Sequence, residues 1–97
     1  MGDIRRGALV HGRVHGVGFR YWTRGEAERL GVSGWVRNRD DGTVEAEIEG
    51  DQAAVTALIR LLSLGPDGAV VERVDISDLT TDGGSGFRIS ATGARHR

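Results

Sequence analysis

A chain of 97 residues with 38% hydrophobic content is the size of one small domain, with enough apolar side chains to fill a core unaided. It contains no cysteine, which excludes a disulfide framework and thiolate metal sites, and its formal charge of −1 makes no electrostatic case for a nucleic-acid partner. All 13 basic residues are arginine, so lysine Schiff-base chemistry and a Walker-type phosphate lysine are excluded as well.

In chain order, residues 8–14 alternate as a strand, with Ala8, Val10, Gly12 and Val14 on one face and Leu9, His11 and Arg13 on the other. A glycine-rich run follows, Gly12-Arg13-Val14-His15-Gly16-Val17-Gly18-Phe19-Arg20. From Phe19 the period becomes helical: Phe19, Trp22, Thr23, Ala27 and Leu30 share one stripe, and Gly31 is placed to stop the helix. Core packing is the reading for Trp22. Residues 32–38 read as a second strand, with Val32, Gly34 and Val36 facing one way and Trp35 the other. Asp41-Gly42 signals a hairpin into residues 43–49, where Val44, Ala46 and Ile48 face in and Glu45, Glu47 and Glu49 form a solvated row. Asp51 caps a second helix whose buried stripe is Val55, Leu58, Ile59 and Leu62, and Gly65-Pro66 ends it. Residues 69–78 predict a further strand with Val70, Val74 and Ile76 on one face. A polar loop, a short strand over 87–89 and a polar tail complete the chain.

The order β-α-β-β-α-β plus a short strand predicts an α+β, ferredoxin-like split βαβ sandwich, with two helices on one face of an antiparallel or mixed sheet. One domain is expected over residues 1–97, its core at about 8–90. Right-handed crossovers make the first and second strands parallel, with the third between them. The glycine run and Asn38 therefore end up on the same sheet edge.

Closely spaced glycines allow successive backbone N–H groups to converge on an oxyanion, and a following helix N-terminus adds its dipole. Arg20 supplies a fork of donors suited to a phosphoryl group. Asn38 lacks acid or base function, but its amide can orient a water. The sequence offers no nucleophile paired with a base, no carboxylate pair and no histidine spacing for a metal. A phosphate ester leaves as a poor alkoxide, whereas a carboxylate, with a pKa of about 4, leaves without protonation. Such a site suits a mixed anhydride of a carboxylic and a phosphoric acid.

The run from Gly12 to Arg20 resembles the acylphosphatase signature, as do Gly34-Trp35-Val36-Arg37-Asn38, Asp41-Gly42-Thr43-Val44-Glu45, Glu49-Gly50, Gly65-Pro66 and Phe87-Arg88-Ile89. The resemblance covers about residues 8–90. It implies hydrolysis of acyl phosphates to a carboxylate and inorganic phosphate, without metal or cofactor. The family's phosphate-binding catalytic arginine falls on Arg20 and its water-orienting asparagine on Asn38. Its phosphate-binding amides fall on His15, Gly16, Val17, Gly18, Phe19 and Arg20. One departure is His15, where many members carry glutamine; at that position it bears on loop stability and pH dependence. The partner implied is a small-molecule acyl phosphate, with inorganic phosphate as product and competitor.

A nucleic-acid-binding module on the same scaffold is the competing class, and the glutamate row on the exposed sheet face opposes it. No apolar run approaches the roughly 18 residues of a membrane span, and the residues after Met1 lack the apolar stretch of a signal peptide. A cytoplasmic monomer is the resulting expectation.

Overall fold

The computed structural model describes residues 2–93; Met1 and residues 94–97, with His96 and the end of the polar tail, lie outside the described residues. In chain order the elements are β1 (Asp3–Arg13), α1 (Phe19–Leu30), β2 (Ser33–Asn38), β3 (Val44–Asp51), α2 (Gln52–Leu64), β4 (Val70–Leu79) and β5 (Phe87–Ile89). They form one five-stranded sheet in the order β4-β1-β3-β2-β5. β3 runs antiparallel to both β1 and β2, β4 is antiparallel to β1, and β5 is parallel to β2. This is the expected ferredoxin-like α+β arrangement. Among the described residues no helix is long and apolar enough to cross a membrane.

Local chemistry accounts for the helix ends. α1 stops at Gly31, whose left-handed backbone (φ 73°) lets the next N–H, that of Val32, reach the Ala27 carbonyl at 2.9 Å. α2 starts where the Asp51 carboxylate accepts the Ala53 N–H at 3.1 Å. One face of each element is apolar, and these faces meet in the core. Val10, Val36, Val44, Ala46 and Ile48 of the sheet are fully buried beneath Phe19, Ala27, Val55, Leu58 and Leu62. Burial of each large aliphatic or aromatic side chain contributes roughly 1.5–3 kcal/mol relative to exposure. α1 packs on β2 and β5, and α2 on β1, β3 and β4.

Three sequence expectations need correction. β1 begins at Asp3, five residues before the first apolar alternation, because its charged start is paired rather than solvated. Arg5, 7% exposed, binds Glu47 at 2.8 Å and Glu49 at 2.9 Å. The glutamate row is accordingly only partly solvated. Glu49 is 3% exposed and accepts the N–H groups of Asp82 and Gly83 from the loop that precedes β5. In β4, His11 pairs with Arg73 but Gly12 pairs with Val71, so Glu72 is an extra, bulged residue. The bulge shifts the alternation: Val71 and Val74 pack against the core, while Val70 is 54% exposed.

Candidate active site

Register places the two halves of the site. Val10 of β1 pairs with Val44 of β3, and Val44 pairs with Asn38, the last residue of β2. These three residues form one row across the sheet, so β1 and β2 run side by side at about 10 Å, two strand spacings. β1 continues past this row to Arg13 and enters the loop of residues 14–18. α1 then returns antiparallel to β2 and packs on it, which sets its first turn above the strand end that carries Asn38. Asn38 alternates onto the same face as buried Val36, the face the helices cover.

Two glycines shape the loop. Gly16 (φ 74°) and Gly18 (φ 73°) both adopt the left-handed conformation, and Gly18 is the N-cap of α1. That helix start has no side-chain cap and no acidic residue in its first turn. Among the described residues, no carbonyl or side chain accepts from the backbone N–H groups of residues 15–21. These donors coincide with the positive end of the α1 dipole. The loop is held from below: Phe19 is buried, and Val17 packs near Gly68, where an added Cβ would lie 3.7 Å from Val17 Cγ1.

Arg20 follows in the first turn of α1, half-buried, and among the described residues it forms no ion pair. Arg5, Arg6, Arg29, Arg37, Arg39 and Arg73 hold carboxylates; among the described residues Arg13, Arg20, Arg24, Arg60 and Arg88 do not, and of these Arg20 is the one in the first turn of α1. Across the edge, Asn38 is clamped by its backbone alone: it pairs with Val44 on one side, and its carbonyl accepts the Gly93 N–H at 2.9 Å on the other. Its side-chain amide has no hydrogen-bond partner among the described residues, so its donors and acceptor are available to a ligand or water.

The hairpin between β2 and β3 is ordered by Asp41, whose carboxylate accepts both the N–H (3.1 Å) and the hydroxyl (2.6 Å) of Thr43. The Thr43 carbonyl accepts the Arg39 N–H at 2.9 Å and lies 2.8 Å from His15 Nε2. This last contact is not readable from the sequence, because its acceptor is a main-chain oxygen 28 positions away. It leaves His15 without a carboxylate partner among the described residues. Trp22 meets Phe19 edge to face at 5.4 Å, as befits a packing residue. Trp35 lies on the face opposite the helices, where the Arg37 guanidinium stacks on it at 5.2 Å.

A ferredoxin-like sandwich with a loop of unpaired N–H donors at one sheet edge defines the class, and comparison with known proteins narrows it. The acylphosphatase family model matches residues 7–89. An acylphosphatase of Mesorhizobium japonicum is 51% identical over 94 residues, covering 94% of this chain and all of the relative. The solved structure of an acylphosphatase from Coxiella burnetii superposes with a TM-score of 0.89 at 32% identity, covering 92% of this chain and 94% of that one. The Bacillus subtilis acylphosphatase crystal structure gives 0.85 at 34%, covering 90% and 98%. The chain belongs to the acylphosphatase family. It is an enzyme of that family, and this membership supports acyl phosphate hydrolysis as its reaction.

Proposed function

We propose that the edge formed by residues 15–20 and Asn38 is the hydrolytic centre, and that it works without a protein nucleophile. The N–H groups of His15, Gly16, Val17, Gly18, Phe19 and Arg20 receive the phosphoryl oxygens, and the Arg20 guanidinium closes over them. These donors are fixed before substrate arrives, so they stabilise charge in the transition state without reorganising. The Asn38 amide holds the attacking water. The water oxygen forms the new bond to phosphorus, the bond from phosphorus to the acyl oxygen breaks, and its electron pair leaves on the carboxylate. Both water protons end on the phosphate, which is released as dihydrogen phosphate. With a leaving-group pKa of about 4, no general acid is required.

The observation that carries this reading is the convergence of unpaired N–H donors with an arginine that has no carboxylate among the described residues, above a strand end whose asparagine amide is uncommitted. Hydrolysis of benzoyl phosphate tests it. Arg20→Gln should lower kcat/KM by roughly 10²–10³, the scale on which a transition-state donor acts. Asn38→Ala should lower turnover by about 10² or more while inorganic phosphate still binds, as measured by calorimetry, because only water orientation is removed. Wild-type turnover by Asn38→Ala would overturn the mechanism.

A further inference from the structure

The phosphate-binding loop and Asn38 lie on strands that are not adjacent, so something must set their separation. The loop leans on the turn before β4 through Val17 and Gly68, an apolar contact with little directional preference. Gly16 and Gly18 face open space, with nothing within 4 Å of an added Cβ. Among the described residues, a single side-chain hydrogen bond joins residues 14–18 to the rest of the protein: His15 Nε2 to the Thr43 carbonyl, at 2.8 Å and partly buried. A carbonyl oxygen only accepts, so Nε2 carries the hydrogen and donates it.

The acceptor's position gives the contact its meaning. The same Thr43 oxygen takes the N–H of Arg39, the residue directly after Asn38, and Thr43 itself is 8% exposed and held by Asp41. A carbonyl has two lone pairs, and here one faces each half of the site. The imidazole thus ties the phosphate loop to the backbone that carries the water-orienting amide.

We infer that His15 is a positioning residue for hydrolysis, setting the distance between the bound phosphoryl group and the Asn38 amide through the Thr43 carbonyl. The inference rests on the assignment of Asn38 made above. In this role the His15 side chain acts through the loop and the hairpin, not on the reacting atoms. A displacement of about 1 Å between reacting groups is enough to cost on the order of 10²-fold in rate.

The test separates kcat from phosphate affinity. His15→Leu removes the donor but leaves the loop amides and Arg20, so kcat on benzoyl phosphate should fall by about 10- to 100-fold. The inhibition constant of inorganic phosphate should move less than about threefold, since its ligands remain. His15→Gln restores an N–H donor of similar reach and should recover most of the lost kcat. If His15→Leu does not fold, His15→Asn replaces it, being polar but too short to reach the Thr43 oxygen. Wild-type kcat in the donor-less variant overturns the inference. So does a parallel loss of kcat and phosphate affinity, or a failure of His15→Gln to rescue. Asn38→Ala, assayed alongside, keeps the two readings apart. Full turnover there removes the Asn38 assignment, whereas an inactive Asn38→Ala beside a fully active His15→Leu removes only the role of His15.

Discussion

Gly12 and Gly16 stand four residues apart in one glycine-rich run, yet a methyl group added to each would meet different surroundings. At Gly12 the backbone (φ 132°) crosses the β4 bulge so closely that a Cβ would lie 2.1 Å from the Val70 carbonyl oxygen. At Gly16 the left-handed backbone (φ 74°) has nothing within 4 Å of the same position. Gly12 is therefore required by packing and conformation together, and Gly16 by conformation alone. Gly12→Ala should destabilise by about 3 kcal/mol or more, since overpacking against backbone adds to a strained φ. Gly16→Ala should cost roughly 1–2 kcal/mol, the left-handed penalty by itself. Urea unfolding of the two variants decides the matter, and a Gly12→Ala protein as stable as Gly16→Ala would refute the division. A sequence reading treats the glycines of this run alike because each permits a left-handed turn; only the register slip between His11 and Gly12 distinguishes them.

At the scale of elements, the segment of residues 80–86 between β4 and β5 has no regular structure; it is held by Glu49 of β3, by an ion pair of Asp82 with Arg5 at 3.5 Å and by the Gly86 carbonyl, which accepts the Gly34 N–H at 3.0 Å. Glu49 accepts the Asp82 N–H at 2.9 Å and the Gly83 N–H at 3.0 Å, and it pairs with Arg5. The Asp82 N–H above all holds its carboxyl below the ordinary glutamate value; the Gly83 N–H and Arg5 act the same way, and loss of hydration opposes them. A depressed pKa means that the folded state favours the ionised form. Its contribution to stability is thus complete above the usual glutamate value of about 4.3, and it disappears as pH falls through the depressed native value. The difference in unfolding free energy between wild type and Glu49→Gln should accordingly be largest near neutrality and shrink on acidification. Denaturant unfolding from about pH 7 to about pH 3 measures it, and a difference constant with pH would refute the latch. This latch also explains what was hard to read. Residues 43–49 alternate as any half-solvated strand does, and nothing local to Glu49 announces a loop arriving from more than 30 positions away. The charged start of β1 is concealed for the same reason, since Arg5 becomes a strand residue only once Glu47 and Glu49 are beside it. Elements whose ends carry local chemistry, such as Gly31 after α1 or Asp51 before α2, were legible to the residue.

Across the whole molecule, the sheet order and the shared edge follow from element sequence and crossover handedness, so the meeting of the glycine loop and Asn38 was legible too. The tie between them was not, because a histidine bound to a distant main-chain oxygen leaves no pattern in sequence. The same architecture predicts how ligand binding couples to stability. Residues 15–20 run from the loop after β1 into the first turn of α1, so a phosphate bound there as proposed bridges elements that come apart when the sheet and helix separate. A ligand that binds only the folded state stabilises it by RT ln(1 + [L]/Kd), about 1.4 kcal/mol at ten times Kd. In a chain of this size that corresponds to a rise in Tm of roughly 6–11 °C. Inorganic phosphate should produce this rise in the wild type and in Asn38→Ala, which keeps every proposed phosphate ligand. In Arg20→Gln, at the same concentration, the rise should fall below about 3 °C, since a charged donor has been lost from the nest. Calorimetric melting with phosphate, against sulfate-free chloride of equal ionic strength, separates specific binding from screening. An equal rise in all three proteins would show that the anion is held elsewhere than at Arg20; a rise lost in Asn38→Ala but kept in Arg20→Gln would reverse the proposed division of labour between the binding and water-orienting halves of the site.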